Sequence, residues 1–307
     1  MNITVYITSY NKSKYLSQAI TSVLSQSLAP KEIIIIDDYS NDNSRDIINS
    51  FYNRYPNMIK PIFNDRNLGI AKTRNIAISH CKSELITFVD GDDYFFPLKL
   101  ESEHERLNEN NYGCVYSNHV FITEEGKEIK YFSDKEDDPA EGDIFIENFN
   151  KSFYVSSGSN FHNEIFYKSH ALEAGLYDGN IQIWEDWDFR IRMSKIIKFG
   201  YCSRVNSAYR LLESGLHNAS HELNYREQIK IYIKNKSLLQ DLKKEEKNLI
   251  HNQVYSKIKI SFSKIIEKNR KDRKILLIIY YCFHLIIKFR TRKSIFYALK
   301  SLLGIKK

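Results

Sequence analysis

Short apolar runs alternate with helical patterns through the first ninety residues of this 307-residue chain. Four runs are predicted to be strands, at residues 3–7, 32–36, 61–64 and 85–89, because each is short and mostly apolar. The segments between them, at residues 14–26, 43–54 and 70–80, have the spacing of helices. Continuous apolar strands that alternate with helices are typical of a parallel sheet covered on both faces.

Polar residues directly follow three of these strands. They are Thr8, Ser9, Tyr10 and Asn11 after the first, Asp37, Asp38 and Ser40 after the second, and Asp90, Gly91, Asp92 and Asp93 after the fourth. Right-handed crossovers bring the carboxyl ends of parallel strands to one edge, where ligands bind. Each cluster alone would suit a surface turn. As a set, the carboxylates would repel one another unless a cation such as Mg²⁺ or Mn²⁺ lies between them.

A second group of acidic residues lies further along the chain. After Asp93 we predict a helix at 97–110, a strand at 114–117, a mobile acidic surface loop at 124–143 and a small-residue turn at 155–160. A further helix opens with Trp184, Glu185, Asp186, Trp187 and Asp188 and runs to about residue 198. Acids in a first helical turn meet the positive end of the helix dipole, which is one explanation. The two flanking tryptophans favour a second, a sugar-facing site.

These residues suit the transfer of a sugar from a nucleoside diphosphate. Asp38 can accept a hydrogen bond from a base, and Thr8 and Tyr10 can contact the same base. Asp90 and Asp92 can hold a divalent ion against the diphosphate, which stabilises the leaving group. Asp186 can act as the general base for the acceptor hydroxyl.

The chain resembles the family 2 glycosyltransferases, which have the glycosyltransferase A-type fold. Five motifs match in order over about residues 1–212. They are Thr8-Ser9-Tyr10-Asn11, Asp37-Asp38-Tyr39-Ser40, the segment from Asn67 to Asn75, the DxD motif Asp90-Gly91-Asp92, and the acidic pair Glu185-Asp186. The resemblance implies an α/β architecture, with a Rossmann-like, mainly parallel sheet flanked by helices.

The resemblance also implies roles for single residues. Thr8, Tyr10, Asp38 and Asn67 would bind the nucleotide, Arg74 the base or diphosphate, Asp90 the ribose or the metal-bound edge, and Asp92 the metal. Asp186 would be the catalytic base of an inverting reaction, usually with a UDP-sugar. Trp184, Trp187 and Glu185 are candidates for the acceptor side.

Two positions need separate comment. Tyr39 stands where the family commonly has glycine, which is expected to shift the loop beside the nucleoside. The family often places a histidine or serine near the metal after the position of Tyr209-Arg210, and His217 is the nearest histidine. We take His217 as a candidate metal ligand, with an ordinary surface histidine as the alternative.

The chain's basic charge is concentrated at its end. From Lys257 onward there are 15 lysines and arginines against two acids, a net +13, although the whole chain carries +7. We predict a catalytic domain at 1–220 and a helical basic extension at 221–307. Within the extension, residues 275–287 form an apolar run flanked by basic residues. The run is shorter than the ~20 residues that span a bilayer. It suits the surface of an anionic membrane, and a core or dimer helix is the alternative, so the oligomeric state stays open.

The expected location follows from the same features. The opening residues form a strand pattern without the charge and cleavage pattern of a secretory signal, and the four cysteines are scattered without a CxxC pair. We therefore expect a cytoplasmic protein, peripheral on the inner face of the membrane, acting on a glycan or lipid-linked saccharide in bacterial surface-polysaccharide assembly.

Two other functions fit the sequence less well. A sugar nucleotidyltransferase would carry a glycine-rich basic loop after the first strand, and residues 8–14 contain no glycine. A nucleic-acid-binding module would use the basic tail, but its aromatic residues lie inside the apolar run instead of alternating with the charges. No nucleic-acid partner is expected.

Deleting residues 270–307 should move the protein from the membrane fraction to the soluble fraction, because the deletion removes both the apolar run and the flanking basic residues. Fractionation of cells that express each form measures this. An unchanged partition would contradict membrane docking by the tail.

Overall fold

The computed structural model describes residues 2–151, 160–213, 215 and 219–271, together with residues 279, 281, 282, 284, 285, 294, 297 and 298. The chain divides into two compact units, Met1–Ser214 and Gly215–Lys307. The assignment of catalysis to residues 1–220 and of a basic extension to 221–307 stays a prediction.

The first unit alternates strands with helices over most of its length. Its strands are β1 (Ile3–Ser9), β2 (Glu32–Asp37), β3 (Ile59–Phe63), β4 (Leu85–Asp90), β5 (Tyr94–Phe95), β6 (Cys114–Ile122), β7 (Glu128–Tyr131), β8 (Ile165–Tyr167) and β9 (Phe199–Arg210). Its helices are α1 (Ser13–Leu24), α2 (Ser44–Arg54), α3 (Ile70–His80), α4 (Lys99–Glu109), α5 (Phe145–Asn150), α6 (Lys168–Glu173) and α7 (Glu185–Met193).

The described strands form one sheet in the order β3-β2-β1-β4-β8-β6-β9-β5, with β7 paired to β6. The first four are parallel to one another. β8 lies antiparallel between β4 and β6, and β6 and β9 are parallel. The predicted α/β fold with a mainly parallel sheet is therefore confirmed.

The central strands are buried on both faces, as their continuous apolar runs predict. In β2, Ile33 and Ile35 pack into one hydrophobic core, and Ile34 and Ile36 pack into a second core on the opposite face. Successive side chains of a strand point to opposite faces, so an unbroken isoleucine run serves both cores.

Two local predictions need correction. β3 begins at Ile59, earlier than the predicted residue 61, and it contains Pro61. The strand tolerates proline because it forms the edge of the sheet. The acidic stretch 124–143 is more than a surface loop: it contains β7, paired to β6, and the buried Phe132. Gly126 turns the chain between β6 and β7 with a φ of +92°, which glycine adopts at little cost.

The antiparallel strand β8 brings a distant segment to the strand edge. Leu85 pairs with Tyr167, and Ile86 with Phe166. The segment that precedes β8 continues along β4, and His162 Nε2 lies 3.7 Å from Asp90 Oδ2. The Thr87 hydroxyl supports this path, since it donates hydrogen bonds to the backbone oxygens of Asn163 and Glu164.

The second unit contains α8 (His221–Asn235), a short 3₁₀ helix (Lys236–Leu239) and α9 (Lys244–Lys271). Ser220 caps α8, because its hydroxyl accepts a hydrogen bond from the Leu223 N–H at 3.2 Å. Contacts of Tyr225 with Phe262 and of Tyr232 with His251 show that α8 and α9 run antiparallel. None of the helices in the described part of this unit or the first is long and apolar enough to cross a membrane. Most of the apolar run at 275–287 lies outside the described residues.

Candidate active site

The ends of the parallel strands meet at one edge, so the polar residues that follow them lie close together. The sheet register places Thr8 beside Asp90 and Ser9 beside Asp37. The Thr8 hydroxyl donates a hydrogen bond of 2.5 Å to Asp90 Oδ1. Thr8 is thus engaged with Asp90, and its own side chain is buried.

Asp38 organises the loop that precedes α3. Its Oδ1 accepts hydrogen bonds from the Asn64 amide and the Leu68 N–H, and its Oδ2 accepts one from the Gly69 N–H at 2.9 Å. The exposed Asn67 lies beside it, with its amide 3.4 Å from the Asp38 backbone oxygen. The carboxylate therefore joins β2 to the loop that carries the third motif, and Oδ2 keeps acceptor capacity for a ligand.

Two tyrosines are exposed beside this loop region. Tyr10 is 47% exposed and Tyr39 is 52% exposed. Tyr39 has a φ of +69°, the left-handed conformation that glycine adopts freely and that costs other residues about 1–2 kcal/mol. The Tyr39 backbone thus has a conformation that is typical of glycine. The Arg45 guanidinium lies 5.6 Å from the Tyr39 ring centroid.

Arg74 joins the two acidic motifs. One guanidinium nitrogen donates to Glu185 at 2.9 Å, and another donates to Asp90 at 2.9 and 3.2 Å. The arginine is 4% exposed and packs over the Phe88 ring. A buried guanidinium needs such paired acceptors, because an uncompensated buried charge is costly. The bridge therefore fixes the start of α7 against the end of β4.

The Asp90 carboxyl stays ionised. Burial alone would raise its pKa, but Arg74, His162 and the Thr8 hydroxyl together outweigh burial and lower the pKa to about 2. Asp90 is therefore an anion at any physiological pH.

The buried Asp93 pairs with the mostly buried His162 beside Asp90. His162 Nε2 lies 3.0 Å from Asp93 Oδ2 and 3.7 Å from Asp90 Oδ2. Burial and the neighbouring Asp92 and Asp90 raise the pKa of Asp93, although the hydrogen bond with His162 opposes this. Burial lowers the pKa of His162, but its contacts with Asp93 and Asp90 raise it by more. Asp90, Asp93 and His162 offer three ligand atoms within 4.8 Å of one another.

Asp92 has a lysine as its partner. Lys12 Nζ lies 2.5 Å from Asp92 Oδ2. The backbone oxygen of Asp92 accepts a hydrogen bond from Arg210 Nε at 2.9 Å, which fixes the turn after β4. Gly91 lies against the Thr8 backbone oxygen, and a Cβ there would come within 3.0 Å of that atom.

The Glu185-Asp186 pair is divided between two environments. Burial raises the pKa of Glu185 to about 7, because the like charges of Asp186 and Asp90 add to burial and offset Arg74. Burial would also raise the pKa of Asp186, but Arg190, Arg74 and Lys151 lower it overall. Glu185 points into the Arg74 bridge, whereas the Asp186 side chain is more exposed. Asp186 is the ionised and accessible member of the pair.

Arg190 holds Asp186 in place. It donates one hydrogen bond of 2.8 Å to Asp186 and two of 2.8 Å to the buried Glu164. Such a two-point contact fixes the guanidinium plane. The Asp186 carboxylate is therefore oriented by a support that reaches back to the segment before β8.

The two tryptophans near the start of α7 differ in burial. Trp187 is 4% exposed, and its indole N–H donates to the Asn148 backbone oxygen at 2.8 Å. Contrary to our expectation of an acceptor-facing ring, Trp187 packs α7 against α5. Trp184 is only partly buried, has a φ of +67°, and lies 3.2 Å from Lys151 Nζ, measured to the ring centroid.

His217 and residues 152–159, which include most of the predicted small-residue turn, lie outside the described residues. Sequence reasoning did not identify Lys12, His162, Glu164 and Arg190 as site residues. His162 and Glu164 reach the site through the antiparallel register of β8, which no local pattern reveals. Arg190 had a usable signal, since it lies one helical turn after Asp186.

The arrangement suits chemistry on an anionic substrate with a metal ion. The carboxylates of Asp90 and Asp93 lie close together and are oxygen ligands of the kind that Mg²⁺ and Mn²⁺ prefer, so they fit such an ion. Asp92, which is paired with Lys12, is not part of that group. His162 could join them only by giving up its hydrogen bond to Asp93. The accessible Asp186 carboxylate lies on the other side of the Arg74 bridge, where it can accept a proton.

Comparison with known proteins agrees with this geometry. The sequence matches the model of the family described as "Glycosyl transferase family 2" over residues 4–169, more than half of the chain. The minor teichoic acid biosynthesis protein GgaA of Bacillus subtilis is 34% identical over 188 residues, covering 59% of this chain and 41% of that protein. The UDP-Glc:alpha-D-GlcNAc-diphosphoundecaprenol beta-1,3-glucosyltransferase WfgD of Escherichia coli is 32% identical over 120 residues, covering 39% of this chain and 46% of that protein. The chain spans less than two thirds of either relative's length.

Solved structures share the fold. The crystal structure of S. aureus TarS 1–349 matches this chain with a TM-score of 0.63 at 19% sequence identity. The match covers 83% of this chain and 70% of the TarS chain. The structure of the same protein in complex with UDP-GlcNAc has a TM-score of 0.64 at 18% identity, covering 83% and 71%. The predicted glycosyltransferase A-type fold is confirmed.

Replacing Arg74 by methionine should lower the free energy of unfolding at pH 8 by about 3–5 kcal/mol, since Asp90 and Glu185 lose their buried cation. Without Arg74 the folded-state pKa values of these carboxyls rise. The loss should therefore shrink as the pH is lowered to about 5, where they can take up protons. Urea unfolding at both pH values measures the effect. Arg66→Met, at an exposed arginine, is the control and should change stability by less than about 0.5 kcal/mol. Equal losses in the two variants would contradict the bridging role.

Proposed function

Because the chain belongs to glycosyl transferase family 2, we propose that it moves a sugar from a nucleotide-sugar donor, of the UDP type, to a hydroxyl of a glycan. One observation carries the proposal: Arg74 links Asp90 at the strand edge to the acidic pair that opens α7. A transferase needs its donor site and its proton acceptor side by side, and this bridge would bring residues of the two together.

The donor would bind at the ends of β1, β2 and β4. Asp38 Oδ2 would accept a hydrogen bond from the base, and the exposed Tyr10 and Asn67 would contact the nucleoside. Thr8 and Arg74 hold Asp90, so that Asp90 can accept hydrogen bonds from the ribose. Support comes from the fold shared with TarS, which is described in complex with UDP and with UDP-GlcNAc.

Asp92 and Asp90 would hold Mn²⁺ or Mg²⁺, with His162 as a further candidate and His217 a candidate from the sequence alone. A divalent ion held there would neutralise the negative charge that develops on the departing diphosphate. Arg74 and Arg210 hold the carboxylates and the turn that carries them, so that the oxygen ligands are oriented before the ion arrives.

Asp186 would remove the proton from the acceptor hydroxyl as that hydroxyl attacks the sugar. Arg190 orients its carboxylate and keeps it ionised. A single attack that displaces the nucleotide inverts the configuration at the sugar carbon and needs no second carboxylate as nucleophile. Glu185 would position the site through Arg74, and the partly buried Trp184 is the aromatic candidate for contact with the acceptor.

The acceptor class is drawn from the relatives. GgaA is named for teichoic acid biosynthesis, and the name of WfgD specifies a diphosphoundecaprenol-linked acceptor. We extend these names to propose a lipid-linked or surface-polysaccharide acceptor for this chain. Such an acceptor would be reached at the inner face of the cytoplasmic membrane, and the basic extension at 221–307 is the candidate membrane contact. The deletion of residues 270–307 tests that contact.

The proposal is tested by nucleotide release from a panel of UDP- and GDP-sugars, with Mn²⁺ or with EDTA. The wild type should release nucleotide from one donor only when metal is present. Asp92→Asn should lower the rate at least about a hundredfold if it removes a metal ligand, and Asp186→Asn should do so for transfer to an acceptor. Glu109→Gln, on the exposed face of α4, is the control. Absence of turnover and of nucleotide binding with every donor would overturn the proposal.

The pH dependence separates Asp186 from Glu185 as the base. The base must be deprotonated, so kcat/KM rises with pH through its pKa. With Asp186, whose pKa is lowered from 3.8, kcat/KM should have no acid limb near pH 7. With Glu185, whose pKa is raised to about 7, it should fall as the pH drops through 7. A fall near pH 7 in the wild type, together with loss of transfer by Glu185→Gln at every pH, would assign the base to Glu185 instead. A fall that disappears in a Glu185→Gln variant that still transfers would leave Glu185 only its part in the Arg74 bridge.

A further inference from the structure

The three aspartates at the end of β4 and directly after it have different cationic partners. Asp90 is held by the buried Arg74, and Asp93 by the mostly buried His162. Asp92 is held by Lys12, whose side chain is 23% exposed. Among the described residues, the Lys12 ammonium is the only cation within 4 Å of the Asp92 carboxylate. Asp92, the candidate metal ligand, is therefore the aspartate whose cationic partner is a partly exposed lysine.

The backbone aims Lys12 at Asp92. The Lys12 N–H donates to the Ser44 hydroxyl at 3.1 Å, and its backbone oxygen accepts hydrogen bonds from the Tyr15 and Leu16 N–H groups at 2.9 Å. The lysine stem then passes close to Gly91, where an added Cβ would lie 3.4 Å from the Lys12 Cβ. Position 12 is fixed from both sides, and only the outer part of its side chain is free to move.

We propose that Lys12 competes with the divalent ion for Asp92, so that the ion binds weakly to the free protein and tightly once a nucleoside diphosphate is present. This inference rests on the proposed function, because it takes Asp92 as a ligand of the ion. An ammonium 2.5 Å from a carboxylate already neutralises it, and the ion must displace that ammonium. The diphosphate offers the displaced Lys12 a new anionic partner, which lowers the cost of displacement.

Competition of this kind couples the two ligands. If UDP tightens Mn²⁺ binding, then Mn²⁺ must tighten UDP binding by the same factor. Lys12 thereby favours joint loading of the ion and the nucleotide over loading of the ion alone. An ion bound without donor would be released readily, so the site would fill with metal only when a donor is there to use it.

The test is Mn²⁺ binding to the full-length protein, followed by the electron paramagnetic resonance signal of free Mn²⁺, with and without UDP. Lys12→Met keeps the stem and removes the charge. It should tighten Mn²⁺ binding without UDP by about tenfold, the order expected for one partly exposed charge at contact distance. The factor by which UDP tightens Mn²⁺ binding should fall by a similar amount.

Lys14→Met is the matched control. Lys14 lies two residues further along and pairs with Glu124 at 2.7 Å, and its side chain is 64% exposed. This variant removes the same charge from the same end of α1 without touching Asp92, so its Mn²⁺ affinity should match the wild type. Lys12→Arg keeps a cation and should also bind Mn²⁺ weakly without UDP. Thermal unfolding of each variant confirms that it is folded.

Two results would overturn the competition. One is a Mn²⁺ affinity of Lys12→Met within twofold of the wild type, and the other is an equal tightening in Lys14→Met. Asp92→Asn separates this failure from failure of the proposed function. If Asp92→Asn weakens Mn²⁺ binding while Lys12→Met leaves it unchanged, only the competition is wrong. If Asp92→Asn leaves Mn²⁺ binding unchanged, the metal assignment is wrong and the competition falls with it.

Discussion

The buried guanidinium of Arg74 is the contact on which the site depends. A cation removed from water is stable only when carboxylates surround it closely, and here they come from positions 16 and 111 residues away along the chain. Asp90 belongs to the end of β4 and Glu185 to the start of α7. The same contact therefore pairs both terminal nitrogens of the guanidinium, keeps Asp90 ionised and sets the position of the acidic pair. The strand edge and α7 become one site because neither can leave the guanidinium without exposing an unpaired charge.

A second arginine gives the adjacent residues Glu185 and Asp186 different properties. Arg190 is held by Glu164 through two of its nitrogens, and its third nitrogen donates a hydrogen bond to Asp186. Glu185 is buried and its pKa is raised, whereas the pKa of Asp186 is lowered. Two neighbouring carboxylates with pKa values moved in opposite directions can take different parts in one reaction. Here Glu185 is paired with Arg74 inside the site, whereas Asp186 is ionised and more exposed.

The parts of this molecule that local pattern determines were predictable from the sequence. The apolar runs of β1, β2 and β4 and the helices between them follow from burial on both faces of a sheet, and the strand edge follows from handedness. β8 was missed because it is three residues long, and its antiparallel pairing with β4 brings the preceding His162 to within 3.7 Å of Asp90. Trp187 was expected to face a sugar, but a large apolar ring one turn into a helix is as well suited to packing. Tyr39 keeps the backbone shape of a glycine, which residue type alone would not suggest.

Gly91 is required for space and not for backbone freedom. Its φ is not in the left-handed region. A Cβ at 91 would lie 3.0 Å from the Thr8 backbone oxygen and 3.3 Å from Leu16 Cδ1, whereas its 3.4 Å distance to the Lys12 Cβ is close to ordinary van der Waals contact. A neighbouring side chain can rotate away, but a backbone oxygen moves only with its strand. Any residue larger than glycine in the middle of the motif would therefore shift the end of β1 against the end of β4, and with it the Thr8–Asp90 hydrogen bond.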